Sequence, residues 1–124
     1  MRGGADRRRQ LGHAGEEAAA AYLRDQGYAI LARNFRCRFG EVDIVARQGT
    51  TLAFIEVRTR RSTAYGLPEE SIGERKRARL RRLAAYYLQR NGLCEVACRF
   101  DVVAVTTDRE GRVQGLKHLT DAFA

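Results

Sequence analysis

Apolar and polar residues change period several times along the chain, and each change marks an element. From His13 to Gln26, Ala18, Ala19, Tyr22 and Leu23 recur at helical spacing, with Glu16 and Glu17 in the first turn, where the helix dipole favours anions. Gly27 supplies the usual helix stop. Tyr28 to Phe35 (YAILARNF) reads as a strand. Val42 to Ala46 and Thr51 to Arg58 read as two more, joined by a turn at Arg47 to Thr50. The segment RRSTAYGLPEES holds the sole proline and reads as a loop. A long helix follows from about Ile72 to Arg90, stopped at Asn91-Gly92. ACRFDVVAV, Ala97 to Val105, is a fourth strand. A turn over Asp108 to Gly111 leads to a last strand over Val113 to Leu119. The predicted order is αβββαββ, an α/β fold built as one domain over residues 13–124. Residues 1–12, basic and without periodicity, read as a flexible tail.

The second and third strands carry carboxylates where strands are usually apolar. Side chains alternate faces along a strand, so Glu41, Asp43 and Val45 share one face, and Leu52, Phe54, Glu56 and Arg58 share one face of the next strand. A turn centred on Gln48-Gly49 sets Arg47 opposite Thr50 and Asp43 opposite Phe54. Glu56 is then a diagonal neighbour of Asp43 on the same side of the sheet. Both strands are otherwise apolar on both faces, as in covered, central strands. Two carboxylates converging there repel each other and lose hydration. A divalent cation relieves both costs, and hard oxygen ligands suit Mg²⁺ or Mn²⁺. Arg58 would add a cation for a phosphate or a developing negative charge. The plain alternative is a salt-bridge network among Glu41, Asp43, Glu56 and Arg58.

Charge widens the picture. The 124 residues hold 23 Lys and Arg against 15 Asp and Glu, a net charge of +8, mostly from arginine. Such a field attracts polyanions, nucleic acid foremost. The run GERKRARLRR places Arg75, Lys76, Arg77, Arg79, Arg81 and Arg82 within eight positions of the long helix. Arg60, Arg61, Arg75, Arg77, Arg79 and Arg82 are the candidate phosphate contacts, which would position a duplex without reading its sequence. Lys76, Leu80, Leu83 and Tyr87 form the sheet-facing stripe of that helix, so Lys76 either reaches toward Glu56 from the first turn or is a lysine that snorkels to solvent at the helix end. Arg99 and Asp101 share a strand face with Val103; an ion pair with an arginine is the expected role of Asp101, and an accessory to the site is the alternative. Tyr65 and Gly66 are candidates for shaping an entrance. Cys37, Cys94 and Cys98 are odd in number and lack zinc-ligand spacing, so reduced thiols are expected. No apolar run follows the basic start MRGGADRRRQ and none is long enough to span a bilayer, so a cytoplasmic protein without membrane contact is expected.

The segments GEEAAAAYLRDQGY, NFRCRFGEVDIVA, LAFIEVRTR and CRFDVVAV, with Lys76 on the long helix between the last two, resemble the YraN family of bacterial proteins of unassigned function. The resemblance runs from about Gly12 to Ala104. That family is similar in turn to archaeal Holliday-junction resolvases and to the PD-(D/E)XK nuclease superfamily. The resemblance implies a restriction-endonuclease-like core, a central mixed sheet flanked by helices. It also implies a catalytic set in which Asp43 matches the motif Asp, Glu56-Val57-Arg58 matches Glu-x-Lys, and Glu16 or Glu17 is the helix carboxylate. Asp43 and Glu56 would hold Mg²⁺ or Mn²⁺ for cleavage of branched or structured DNA, and by analogy two copies would act as a homodimer. Arg58 departs from the superfamily lysine. Arginine stays charged and is a poor proton acceptor, so Lys76 is the candidate replacement. Three readings stay open: a metal-dependent nuclease, a nucleic-acid-binding module without efficient chemistry, and a scaffold that docks through the basic helix.

Overall fold

The computed structural model describes residues 4–61 and 72–123. In chain order the elements are α1 (Gly4–Asp25), β1 (Ala29–Cys37), β2 (Gly40–Gln48), β3 (Thr51–Arg61), α2 (Glu74–Arg90), β4 (Cys98–Thr107) and β5 (Val113–Phe123). The strands form one five-stranded sheet in the order β1-β2-β3-β4-β5. Neighbours are antiparallel except β3 and β4, which run parallel. That parallel step requires a long crossover, and α2 lies within it. The result is the mixed, helix-flanked sheet expected of a restriction-endonuclease-like core, in the order αβββαββ.

The two helices cover opposite faces. Ala19, Ala20 and Leu23 of α1 are buried against Ile44, Ala46, Ala53, Ile55, Val103 and Val105. Leu80, Leu83, Ala84 and Tyr87 of α2 are buried against Val45, Leu52, Phe54, Phe100 and Val102. Strands β2, β3 and β4 are therefore apolar on both sides, and each buried Leu, Ile or Phe contributes about 1.5–3 kcal/mol. Helix α1 sits very close to β3. A Cβ on Gly15 would run into the Thr59 hydroxyl and stand 3.1 Å from Thr59 Cβ, so only glycine permits this approach.

Three expectations need correction. Residues 4–12, read as part of a flexible tail, continue α1 back to Gly4. Arginine is a good helix former, and a helix already anchored by its apolar face extends at little cost without periodicity of its own. The β2–β3 register also differs. Gln48 pairs with Thr51 and Val45 with Phe54, because the turn residues are Gly49 and Thr50. Gly49 has φ 60°, and it occupies the first turn position, where a two-residue hairpin needs positive φ. The third correction is on α1, where Ala20 rather than Ala18 joins Ala19 and Leu23 in the fully buried face. The loop at RRSTAYGLPEES loses its first two residues to β3; its remainder, with Tyr65 and Gly66, lies outside the described residues. All three cysteines are free, Cys94 and Cys98 exposed and Cys37 half-buried. Among the described residues no helix is long and apolar enough to cross a membrane.

Candidate metal centre and its surroundings

Paired residues of β2 and β3 run from Gln48↔Thr51 to Ile44↔Ile55. At the next position the Val57 N–H donates to Asp43 Oδ2 at 2.7 Å. The Asp43 side chain is thereby fixed at the end of the ladder, and the register carried on by one pair sets it across from Glu56. The two-residue register difference is even, so it does not send the carboxylates to opposite sides, and both line one cleft.

Glu56 is 5% exposed. Lys76, in the first turn of α2, places Nζ 2.7 Å from Glu56 Oε2. The lysine side chain is 35% exposed and that of Glu56 only 7%, so the ammonium stands at the boundary between the buried carboxylate and solvent. Asp43, Glu56 and Lys76 line a cleft of roughly 290 Å³ together with Phe39, Gly40, Glu41 and Arg79, over an apolar floor of Leu80 and Leu83. Burial, then the neighbouring Glu56, push the Asp43 carboxyl from 3.8 to about 7; the Val57 amide and Lys76 pull the other way. The site is short of positive charge even with Lys76 present.

That shortage is the test of a metal's fit. Among the described residues no three His, Cys, Asp or Glu side chains gather as a ligand set. Asp43 and Glu56 are a two-carboxylate set, which suits an ion that keeps several waters, as Mg²⁺ does, and does not suit a dedicated all-protein cage. With both carboxylates ionised and Lys76 counted, the three groups carry one net negative charge. A divalent ion would turn that into one net positive charge, the complement of a phosphodiester.

The structure separates the two helix carboxylates. Half-buried Glu16 is near enough for its charge to raise the Asp43 pKa. Glu17 is exposed and bonded to Arg33 at 2.5 Å, which holds its carboxyl below the usual range. Arg58 follows Glu56 on β3 but does not line the cleft, and its Nε is buried without a hydrogen-bond partner among the described residues. Glu41 is at the cleft wall, bonded to Arg36 at 2.7 Å.

The basic residues divide as well. Arg77 is used by the fold: its Nε donates to the Ile72 carbonyl at 3.0 Å and its guanidinium lies 5.4 Å from the Phe123 ring centroid. Arg81 bonds to Glu74 at 2.6 Å. Arg75, Arg79 and Arg82 are exposed on α2, and Arg79 lines the cleft. On β3, Arg60 is half-buried and Arg61 exposed at the strand end.

Two clusters escaped the sequence reading. One is the aromatic wall of the cleft, where Phe39 at the β1–β2 turn meets Tyr86 of α2 edge-on at 6.0 Å. An aromatic at the turn, directly before the glycine that opens β2 in RCRFGE, was the available signal. The other is a buried polar network on the α1 side. Asp101 accepts hydrogen bonds from Arg99 at 3.0 Å and from the Asp121 amide at 2.9 Å, and its Oδ2 lies 2.8 Å from His118 Nε2. Arg99 also donates to Tyr28 and Gln48. Burial favours the neutral acid, but the bonds from His118 and Arg99 outweigh it and hold Asp101 below the usual carboxylate range. The pairing of Asp101 with an arginine was legible in CRFDVVAV; His118, 17 residues away on β5, was not.

A model for the uncharacterised protein family UPF0102 matches residues 15–105. A UPF0102 protein of Moorella thermoacetica is 60% identical, covering 94% of this chain and 97% of its own. One from Pelotomaculum thermopropionicum is 54% identical, covering 96% and 99%. One from Syntrophus aciditrophicus is 50% identical, covering 92% and 88%. The chain belongs to the uncharacterised protein family UPF0102, the family to which its motifs point.

Proposed function

We propose that this chain binds nucleic acid and hydrolyses phosphodiester bonds with Mg²⁺ or Mn²⁺ at the Asp43–Glu56–Lys76 cleft. The observation that carries the reading is the convergence of the buried Glu56 and the half-buried Asp43, whose carboxyl is pushed up by desolvation and by that neighbour, with one lysine at the mouth of an Arg-flanked cleft. Asp43 and Glu56 would hold the cation. Bound there, it supplies Lewis-acid polarisation of the phosphodiester and an acidified attacking water. The chain's own groups do the rest. The Val57 amide orients Asp43. The Lys76 ammonium, already beside Glu56, meets the phosphate oxygen as charge develops on it, a task a point charge on a flexible stem performs well. Lys76 takes this place from the helix because Arg58 is not in the cleft lining. Arg79 at the cleft, with Arg75 and Arg82 on the same helix, attracts the backbone on either side.

The second reading is a binding module without chemistry. It is favoured by Arg58, which cannot take a proton from water and stands where the superfamily resemblance expects lysine. One experiment separates the two. Labelled four-way junction, flap, single-stranded and linear duplex DNA are incubated with Mg²⁺ or Mn²⁺, with EDTA and Asp43→Ala as controls. Metal-dependent cuts absent from Asp43→Ala support the nuclease. Gel shifts without cuts support the module, and neither shift nor cut refutes both.

A further inference from the structure

The aromatic wall of the cleft has a chemistry of its own. The β1–β2 ladder ends at Cys37↔Gly40, so Arg38 and Phe39 form the turn itself. Such turns usually carry glycine or polar residues. Here a half-buried phenylalanine stands at the turn and lines the same cleft as Asp43 and Glu56. Tyr86 meets its ring edge-on, and the exposed Arg38 lays its guanidinium over the ring, 4.9 Å from the centroid, where a base would take its place or stack beside it. Tyr86 is itself held by Arg90, whose Nη1 donates to the phenol oxygen at 2.8 Å.

The placement along α2 adds to this. Lys76, Arg79, Leu83, Tyr86 and Arg90 recur at three- and four-residue steps, which is one stripe of a helix. That stripe starts at the partner of Glu56 and reaches, about 15 Å further along the axis, the residue that meets Phe39. Two cations, Lys76 and Arg79, therefore stand beside an aromatic surface over the length of a few nucleotides. Inside a duplex the faces of a base are already covered by its neighbours. An aromatic ring beside a phosphate site finds a partner face only on a base that is unpaired or splayed out.

We propose that Phe39, backed by Tyr86 and flanked by Arg38 and Arg79, is a stacking platform for one unpaired base of a single-stranded segment lying next to the carboxylate cleft. The proposal rests on the reading that this cleft takes nucleic acid, and it narrows the substrate to strands with unpaired bases near the reacting phosphate.

The chain contains no tryptophan, which gives the test a clean probe. Phe39→Trp introduces a sole indole at the platform. Binding is measured in EDTA with labelled oligothymidylate and with a blunt hairpin duplex, for the full-length wild type, Phe39→Trp and Phe39→Ala. On the proposal, Phe39→Trp binds oligothymidylate at least as well as the wild type, and its emission is quenched to saturation by that strand but not by the blunt duplex. Phe39→Ala weakens oligothymidylate binding by about 5- to 100-fold and duplex binding less than about twofold. Circular dichroism checks that the alanine variant is folded; Phe39→Trp carries the test if it is not. Indole emission that does not respond to saturating oligothymidylate overturns the platform, as does equal weakening of both ligands in folded Phe39→Ala. In those outcomes the wild type still binds nucleic acid, so only the platform falls. A wild type that binds neither ligand refutes the functional reading itself, and the platform with it.

Discussion

Asp43→Asn replaces a half-buried carboxylate by a neutral isostere that can still accept the Val57 N–H. In the folded chain, burial and Glu56 raise the Asp43 pKa from 3.8 to about 7. The folded state therefore binds this proton more tightly than the unfolded state does. Stability is greatest in acid and falls as pH rises between those two values, by on the order of 4 kcal/mol in all. Asparagine removes the whole effect. In EDTA near pH 8 the variant should be more stable than the wild type by about 1–4 kcal/mol, the lower end allowing for an amide that fits the site less well than the protonated acid. Near pH 5 part of the wild-type penalty is already relieved by protonation, so the gap should shrink to about half or less. Saturating Mg²⁺ or Mn²⁺ should then shift the difference toward the wild type. The wild type gains about 2.7 kcal/mol at a hundredfold excess over Kd, while the variant gains little. Urea unfolding followed by circular dichroism at the two pH values, with and without metal, reads all of this. A variant less stable than the wild type near pH 8 in EDTA would refute the reasoning, as would a gap that does not change with pH.

Lys76→Met strands Glu56, whose side chain is 7% exposed, without its counter-charge. The expected loss is about 1–3 kcal/mol in urea unfolding, below the cost of breaking a fully buried pair because the lysine is one-third exposed. Gly15→Ala should destabilise by about 1–3 kcal/mol through its clash with Thr59, and Thr59→Ala in the same chain should recover part of that in thermal unfolding. Asp101→Asn should lose about 2–4 kcal/mol at neutral pH by breaking the bonds to Arg99 and His118. Because the Asp101 carboxyl is held below its ordinary value, the wild type should lose this stability as pH falls below about 4, and the variant's acid limb should be flatter. Replacing Arg75, Arg79 and Arg82 together by alanine should weaken duplex binding across sequences and reduce the slope of log K against log salt by about 2–3, measured by anisotropy titration.

How much of this was legible follows from which physical period governs each feature. The carboxylate pair was readable because strand side chains alternate with period two. The register was misplaced by two residues when the turn was centred on Gln48-Gly49, yet an even error returns every side chain to its own face. Asp43 and Glu56 survived it; an error of one would have sent them to opposite sides. Lys76 was readable for a similar reason. A residue one turn before Leu80 on a stripe that also carries Leu83 and Tyr87 must begin on the sheet side, and a lysine there reaches whatever charge the sheet exposes. The α1 extension was not readable, since arginines without an apolar stripe helix only by continuing an anchored segment. Contacts between elements far apart in sequence were beyond any period. The meeting of Phe39 with Tyr86, and of Asp101 with His118, depends on how the β1–β2 turn falls over α2 and how β5 returns along β4. These are also the contacts that decide what the cleft can hold. A period names the side of the sheet on which a group stands, and only the packing of one element on another says which groups share a wall.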